Sequence, residues 1–232
     1  MDKVLRDTPS ISGVFLDLGI SSPQFDDSGR GFRPEQDGPL DLRFDLTRGE
    51  PASAFLRNVA REELIRIIHA FGETSDPIAA RRVADGIVLA RESNALPSTT
   101  KAFAALVASA KGKEYQAMHP AKLTFQALRI HLNQEFDEMR RGMRAAMEVM
   151  ADGGRLGVLT VRFSSFSAEE FRFFRSEFRR WLFSHRLNTR QARVMLHHVV
   201  SLRTHIRLVE MIHQIHDRKR LTRLRVFSHT GH

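Results

Sequence analysis

The sequence predicts an α/β fold organised around a parallel sheet. Two apolar runs carry that expectation: residues 12–20 (SGVFLDLGI) and 155–163 (RLGVLTVRF) both read as strands buried on both faces. Amphipathic helical patterns lie between and after them, and strands alternating with helices build parallel sheets. The 232 residues, 42% of them hydrophobic, suffice for a packed core.

The elements follow in order. After the first strand, residues 21–49 (SSPQFDDSGRGFRPEQDGPLDLRFDLTRG) are rich in Gly, Pro and Asp and read as a long loop, a kind of segment that is usually functional. Three helices are expected next. The first carries Leu64, Ile67, Ile68 and Phe71 at helical spacing. The second has a first-turn proline and an apolar stripe of Ile78, Val83, Ile87 and Val88. The third carries Phe103, Leu106 and Val107. The stretch from His119 to Gly154 holds one or two more helices. Met139, Met143, Met147 and Met150 form a core face there, and Gly153 and Gly154 read as the closing cap. Beyond the second strand, Ser167 and Glu170 form a capping box for a helix with Phe171, Phe174, Phe178 and Leu182 on one face. RVMLHHVVSL and LTRLRVF are candidate closing strands.

Charge is distributed unevenly. The net charge is +9, yet from Arg172 onward there are 14 Lys+Arg against 3 Asp+Glu, so the rest of the chain is slightly acidic. Such a one-sided field suits a polyanion, and the preference for Arg suits forked contacts to phosphate. Arg172, Arg175, Arg179, Arg180, Arg218, Lys219, Arg220 and Arg223 are the expected RNA-contacting cations. A membrane surface fits less well, since this segment lacks a clean apolar face. The absence of Cys excludes disulfides and Cys-based zinc sites. His197 with His198, and His213 with His216, read better as RNA-facing or solvated than as metal ligands. MDKVLRDTPS has no apolar h-region and carries acids, so neither a signal peptide nor an intact mitochondrial presequence is expected there.

The best place for chemistry is the end of the first strand, because parallel sheets bind ligands beyond the carboxyl ends of their strands. Asp17 can accept hydrogen bonds, Gly19 permits close backbone approach, and Ser21, Ser22 and Gln24 offer polar side chains. From spacing alone, an Asp that caps a turn and a Ser-Pro loop that merely bends are the better explanation of the same residues.

Resemblance shifts that balance. GVFLDLGISSPQFDDSGRGFRPEQDGPLDLRFD and HPAKLTFQALRIHLNQEFDEM, followed by MADGGRLGVLTV and more weakly LNTRQARVML, resemble the signature blocks of the MraW/RsmH family over roughly residues 10–195. These are S-adenosylmethionine-dependent methyltransferases acting on N4 of a cytosine in small-subunit ribosomal RNA. The resemblance implies a partial Rossmann-like methyltransferase sheet with an inserted helical domain. Its divisions would be 1–48 and 121–195 as the two parts of the core, 49–120 as the insert and 196–232 as a basic extension. It implies cofactor contacts at Asp17 and Gln24, a loop beside the cytosine at Ser21, Ser22 and Pro23, and less defined roles for Asp41 and Arg43.

Two departures qualify the resemblance. Family members have a long segment before the first of these strands, supplying a glycine-rich cofactor loop and a ribose-binding acid, whereas about a dozen residues precede it here. In addition, Arg162 stands where the family has a His, and the following Glu-Asp pair is displaced. The leading expectation is therefore a methyltransferase-like rRNA-binding factor of small-subunit assembly that is inactive and binds no cofactor. Ribosomal or assembly proteins would cover its open sheet edge, in the mitochondrial matrix. One alternative is an active cytosine-N4 methyltransferase of the bacterial cytoplasm, binding S-adenosylmethionine once a cofactor half outside this chain is supplied. The other is a protein-docking module using the sheet edge.

Overall fold

The structure is a computed structural model and describes residues 11–112, 119–161 and 193–199. It is a helix-rich α/β protein that divides into two compact units. One is Ile20–Glu138; the other comprises Met1–Gly19 and Met139–His232.

The second of these holds a parallel sheet of order β1-β2-β3, with β1 at Ile11–Leu18, β2 at Met150–Val161 and β3 at Arg193–Val199. Val14 to Leu18 pair in register with Leu156 to Thr160, and Arg155 to Val161 with Arg193 to Val199. The register shifts between Ile11 and Gly13, whose partners are Met150 and Arg155, so β2 carries extra residues at that point. Gly153 and Gly154 lie in this irregular stretch and do not cap a helix, because the preceding helix has already ended at Val149.

β1 does not run buried on both faces. Val14, Leu16 and Leu18 are half-buried, whereas Phe15 is 43% exposed and Asp17 is exposed. Alternation with period two is what a strand shows when only one of its faces is covered. The Phe15 ring lies over Gly157, its partner in register, where a Cβ would come within 2.8 Å of the ring. An aromatic ring here fills the space left by a strand glycine.

The unit Ile20–Glu138 is built from α1 (Ser22–Asp26), a 3-10 turn (Ser28–Arg30), α2 (Ala52–Asn58), α3 (Arg61–Phe71), α4 (Pro77–Glu92), α5 (Thr100–Lys111), α6 (Lys122–Leu132) and the start of α7 (Glu135–Val149). Asp76 caps α4 by accepting from the Ala79 amide at 2.9 Å, with Pro77 in the first turn. Its core comprises Leu56, Leu64, Ile68, Val83, Ile87, Phe103, Val107, Phe125 and Leu128, with the Phe103 and Phe125 rings 5.6 Å apart. Each such side chain contributes about 1.5–3 kcal/mol by leaving water.

The apolar stripe of α4 differs from expectation. Ala79, Ala80, Val83, Ala84 and Ile87 are buried, while Ile78 is exposed. Five residues separate Ile78 from Val83, which places it about 140° round the helix from that face. The methionine stripe is a core face at Met139, Met143 and Met147, whereas Met150 belongs to β2.

At one corner, Glu73 and Lys111 form a buried ion pair, each side chain 6% exposed, and Lys111 Nζ also donates to the Pro120 carbonyl at 2.7 Å. Gln126 Nε2 donates to the Phe71 carbonyl at 3.0 Å. Gly72 lies against α6, where a Cβ would sit 2.4 Å from the Leu123 carbonyl oxygen. No helix among the described residues is long and apolar enough to cross a membrane.

Candidate functional site

The strand end and the segment that follows belong to different units, and each is described in its own. In the sheet, Asp17 is exposed near the carboxyl end of β1. Gly19 follows with φ 138°, and nothing lies within 4 Å of where its Cβ would be. A side chain is disfavoured there by backbone conformation alone.

In the other unit, the predicted Ser-Pro bend is a helical turn. Ser21 caps α1, and Ser21 and Gln24 form a reciprocal capping box. The Gln24 Oε1 accepts from the Ser21 amide at 3.2 Å and from Ser21 Oγ at 2.9 Å, and the Gln24 amide donates to Ser21 Oγ at 3.5 Å. Pro23 lies in the first turn, and both it and Ser22 are exposed. The oxygen of Gln24 is thus engaged locally, while its NH2 group remains a donor. Asp17 offers an accepting carboxylate in one unit and Gln24 a donating amide in the other.

Residues 31–49 are an ordered platform. Asp41 and Arg43 hold each other in a forked pair, with Nε to Oδ1 and Nη2 to Oδ2 both at 2.8 Å. The same guanidinium donates through Nη1 to the carbonyls of Leu46, Arg48 and Gly49 at 3.0–3.2 Å. Arg43 therefore closes the Phe44–Gly49 turn by its own side chain, a geometry that a lysine cannot reproduce. Burial pushes the Asp41 carboxyl up, but the bonds and charge of Arg43, with the charge of Arg30, outweigh it and hold it below the usual carboxylate range.

Between them, Leu42 is completely buried at φ 67°, a left-handed conformation costing about 1–2 kcal/mol for a residue with a side chain. This turn allows the side chains of Asp41 and Arg43, two apart, to meet. The Leu42 amide donates to the Arg30 carbonyl at 3.0 Å, and Arg30 Nη1 donates to the Phe44 carbonyl at 2.8 Å. Asn133, just beyond α6, donates to the Leu42 carbonyl at 2.7 Å and accepts from the Phe44 amide at 2.6 Å.

Arg30 was not singled out in the sequence, and Asn133 entered only as part of the HPAKLTFQALRIHLNQEFDEM block, with no role of its own. Local pattern offers no signal for them, because Asn133 finds partners 89 and 91 residues away. The Gly- and Arg-rich SGRGF stretch, Ser28 to Phe32, is packed internally at Gly31 and Phe32. Gly31 is buried at φ 72°, and a Cβ there would lie 2.3 Å from the Pro39 carbonyl oxygen. The basic cluster of Arg172, Arg175, Arg179, Arg180, Arg218, Lys219, Arg220 and Arg223 lies outside the described residues, as do Arg162 and the Ser167 capping box.

Comparison with known proteins adds the family. The model of the MraW methylase family matches residues 1–218. The chain is similar to ribosomal RNA small subunit methyltransferase H of Bordetella petrii, 44% identical over 155 residues that make up 67% of this chain and 42% of the relative. It is 44% identical to the protein of that name from Cupriavidus metallidurans over 154 residues, 65% of this chain and 46% of the relative. Against that of Chromohalobacter salexigens it is 40% identical over 163 residues, 69% of this chain and 48% of the relative. The chain therefore spans less than half the length of these curated relatives. With strand, capping box and Asp-Leu-Arg platform in place and the family model matching almost the whole sequence, the chain belongs to the MraW methylase family.

Proposed function

We propose that the chain is the substrate-side part of an S-adenosylmethionine-dependent methyltransferase acting on N4 of a cytosine in small-subunit rRNA, with the glycine-rich part of the cofactor site lying outside these residues. The observation that carries this reading is the family match over residues 1–218, together with relatives named as small-subunit rRNA methyltransferases. It is preferred over an inactive assembly factor because the strand-end Asp17, the open Gly19 turn and the free amide donor of Gln24 keep the chemistry that cofactor binding asks for. The relatives are bacterial, which supports the bacterial cytoplasm over a mitochondrial matrix.

In this reading residues 49–120 are a helical insert in a Rossmann-like core, and the described β1 is an inner strand of a larger sheet. S-adenosylmethionine supplies an electrophilic methyl group when bound. Asp17 would accept from a hydroxyl or the ammonium of the cofactor, and Gln24 would donate to its carboxylate. Ser21, Ser22 and Pro23 would lie beside the cytosine. These residues would serve by aligning the cytosine amine with the methyl group and by excluding water, while S-adenosylhomocysteine would leave and the amine's proton would pass to solvent. Asp41 and Arg43 shape the adjoining platform, since their hydrogen-bonding capacity is already spent on each other and on the Phe44–Gly49 turn.

The test joins the chain to the complementary cofactor-binding segment of the Bordetella petrii relative and measures transfer of labelled methyl from S-adenosylmethionine to small-subunit rRNA. Transfer that Asp17→Ala and Gln24→Ala each lower by about 100-fold supports the reading, because loss of orientation by an ångström carries such a cost. A fusion that folds and binds the cofactor yet transfers nothing returns the chain to an rRNA-binding role without catalysis.

A further inference from the structure

We infer that Asn133 is a positioning residue, which keeps the Asp41–Gly49 platform in the shape that receives rRNA. The inference rests on the proposed rRNA substrate and names the residue that prepares the surface for it. Leu42 is held at φ 67° with its side chain wholly buried, a conformation that persists only where its surroundings fix it. Asn133 supplies that constraint. Its carboxamide donates to the Leu42 carbonyl at 2.7 Å and accepts from the Phe44 amide at 2.6 Å, mimicking the paired bonds of an adjacent strand.

The anchor is itself braced. Asn133 Nδ2 donates also to the Arg129 carbonyl at 2.8 Å, and the Asn133 amide donates to that carbonyl at 3.0 Å. Arg129 is fixed by a forked pair with Glu135 and lies 5.9 Å from the centre of the Phe44 ring. The end of α6 thus holds Leu42 and Phe44 while their neighbours Asp41 and Arg43 face each other. Without Asn133, Leu42 is free to relax to negative φ, which parts Asp41 from Arg43 and opens the Phe44–Gly49 turn. An interface that must be reshaped before binding loses affinity even when every group that touches the ligand is intact.

The test uses the full chain, in-vitro-transcribed small-subunit rRNA, and the variants Asn133→Ala and Asn133→Asp. The second is isosteric but lacks the donor to Leu42. Asn133→Ala should speed amide exchange at Arg43 and Phe44 while Leu40, Ala52 and Thr100 stay protected; Asn133→Asp keeps the acceptor for the Phe44 amide and loses the donor to the Leu42 carbonyl. Both should also weaken rRNA binding about tenfold at a temperature where they remain folded, with the wild-type salt slope unchanged, since no cation has been removed. Unchanged exchange at Phe44 in Asn133→Ala, wild-type affinity in Asn133→Asp, or global unfolding of both variants overturns the inference. Failure of the wild-type chain to bind rRNA overturns the proposed substrate instead, and the exchange experiment still decides whether Asn133 fixes the platform.

Discussion

Arg43 shows how much one side chain carries in this protein. It completes a two-pronged ion pair and closes a turn through three carbonyls. Arg43→Lys keeps the charge and loses the fork, and it should destabilise the chain by about 1.5–3 kcal/mol in urea unfolding, the range for hydrogen bonds to charged groups. Asp41 has its carboxyl held below the usual range, so its contribution is full at neutral pH and is lost as pH falls through that lowered value. His131 titrates nearer neutrality. Burial pushes its imidazole below 6.5, aided by Arg66 and opposed by Glu63, and its ring lies 5.1 Å from that of Phe55. The stability it lends is full above about pH 6.5 and falls as pH drops through its lowered folded value. Glu135 acts in the opposite sense, because burial raises its carboxyl against the pull of Arg129, and acidification then favours its folded form. Unfolding measured from pH 7.5 to 5.5 should show a falling stability that His131→Gln flattens; an unchanged slope would remove His131 as the cause. At this scale the sequence was half legible. The Ser-x-x-Gln pattern at Ser21 to Gln24 is a capping-box signature, yet a polar loop after a strand also reads as a ligand site, and the structure shows that one side chain can serve the cap with its oxygen and keep its amide free.

The helices explain themselves by spacing, whereas their junctions do not. Leu64, Ile67 and Ile68, and Phe103 and Val107, face the core as their three- and four-residue steps require. Ile78 fell outside the pattern because a residue five positions from the stripe points elsewhere. The Glu73–Lys111 pair could not be read locally, as its members lie 38 residues apart. Lys111→Met should cost about 3–5 kcal/mol, because it leaves a carboxylate buried without its cation. The double change with Glu73→Leu should recover much of that loss in a double-mutant cycle, and additive losses would contradict the pairing. Gly72→Ala forces a Cβ against the Leu123 carbonyl and should cost about 1–3 kcal/mol, the range for overpacking, with a lowered melting temperature as the readout. Residues 31–49 resembled an unstructured loop for a related reason: their order comes from Ser98, Thr100 and Asn133, which are remote in sequence.

At the scale of the whole molecule, the parallel α/β class was visible in the two apolar runs, and β1 and β2 form where they were expected. Covering of the sheet was not visible, because an apolar run shows that a strand can be buried on both faces but not that both are buried. The family was visible in two long motifs in the correct order, and the match over residues 1–218 agrees with them. The proposed rRNA contact of the basic quarter from Arg172 onward would act through charge, so it belongs to the molecule as a whole. Replacing Arg218, Lys219, Arg220 and Arg223 by Ala should weaken rRNA binding and reduce the slope of log affinity against log salt by up to about 3, at roughly 0.7–0.9 for each phosphate no longer neutralised. A slope identical to wild type would remove these four residues from the interface. The central claim, that the chain retains the substrate side of an rRNA methyltransferase, is tested most directly by methyl transfer. Joined to the cofactor-binding segment of the Bordetella petrii relative, the chain should label small-subunit rRNA with methyl from S-adenosylmethionine, and Asp17→Ala should lower the label by about 100-fold. A folded, cofactor-binding fusion that leaves the rRNA unlabelled, under conditions where the intact relative labels it, would contradict the claim.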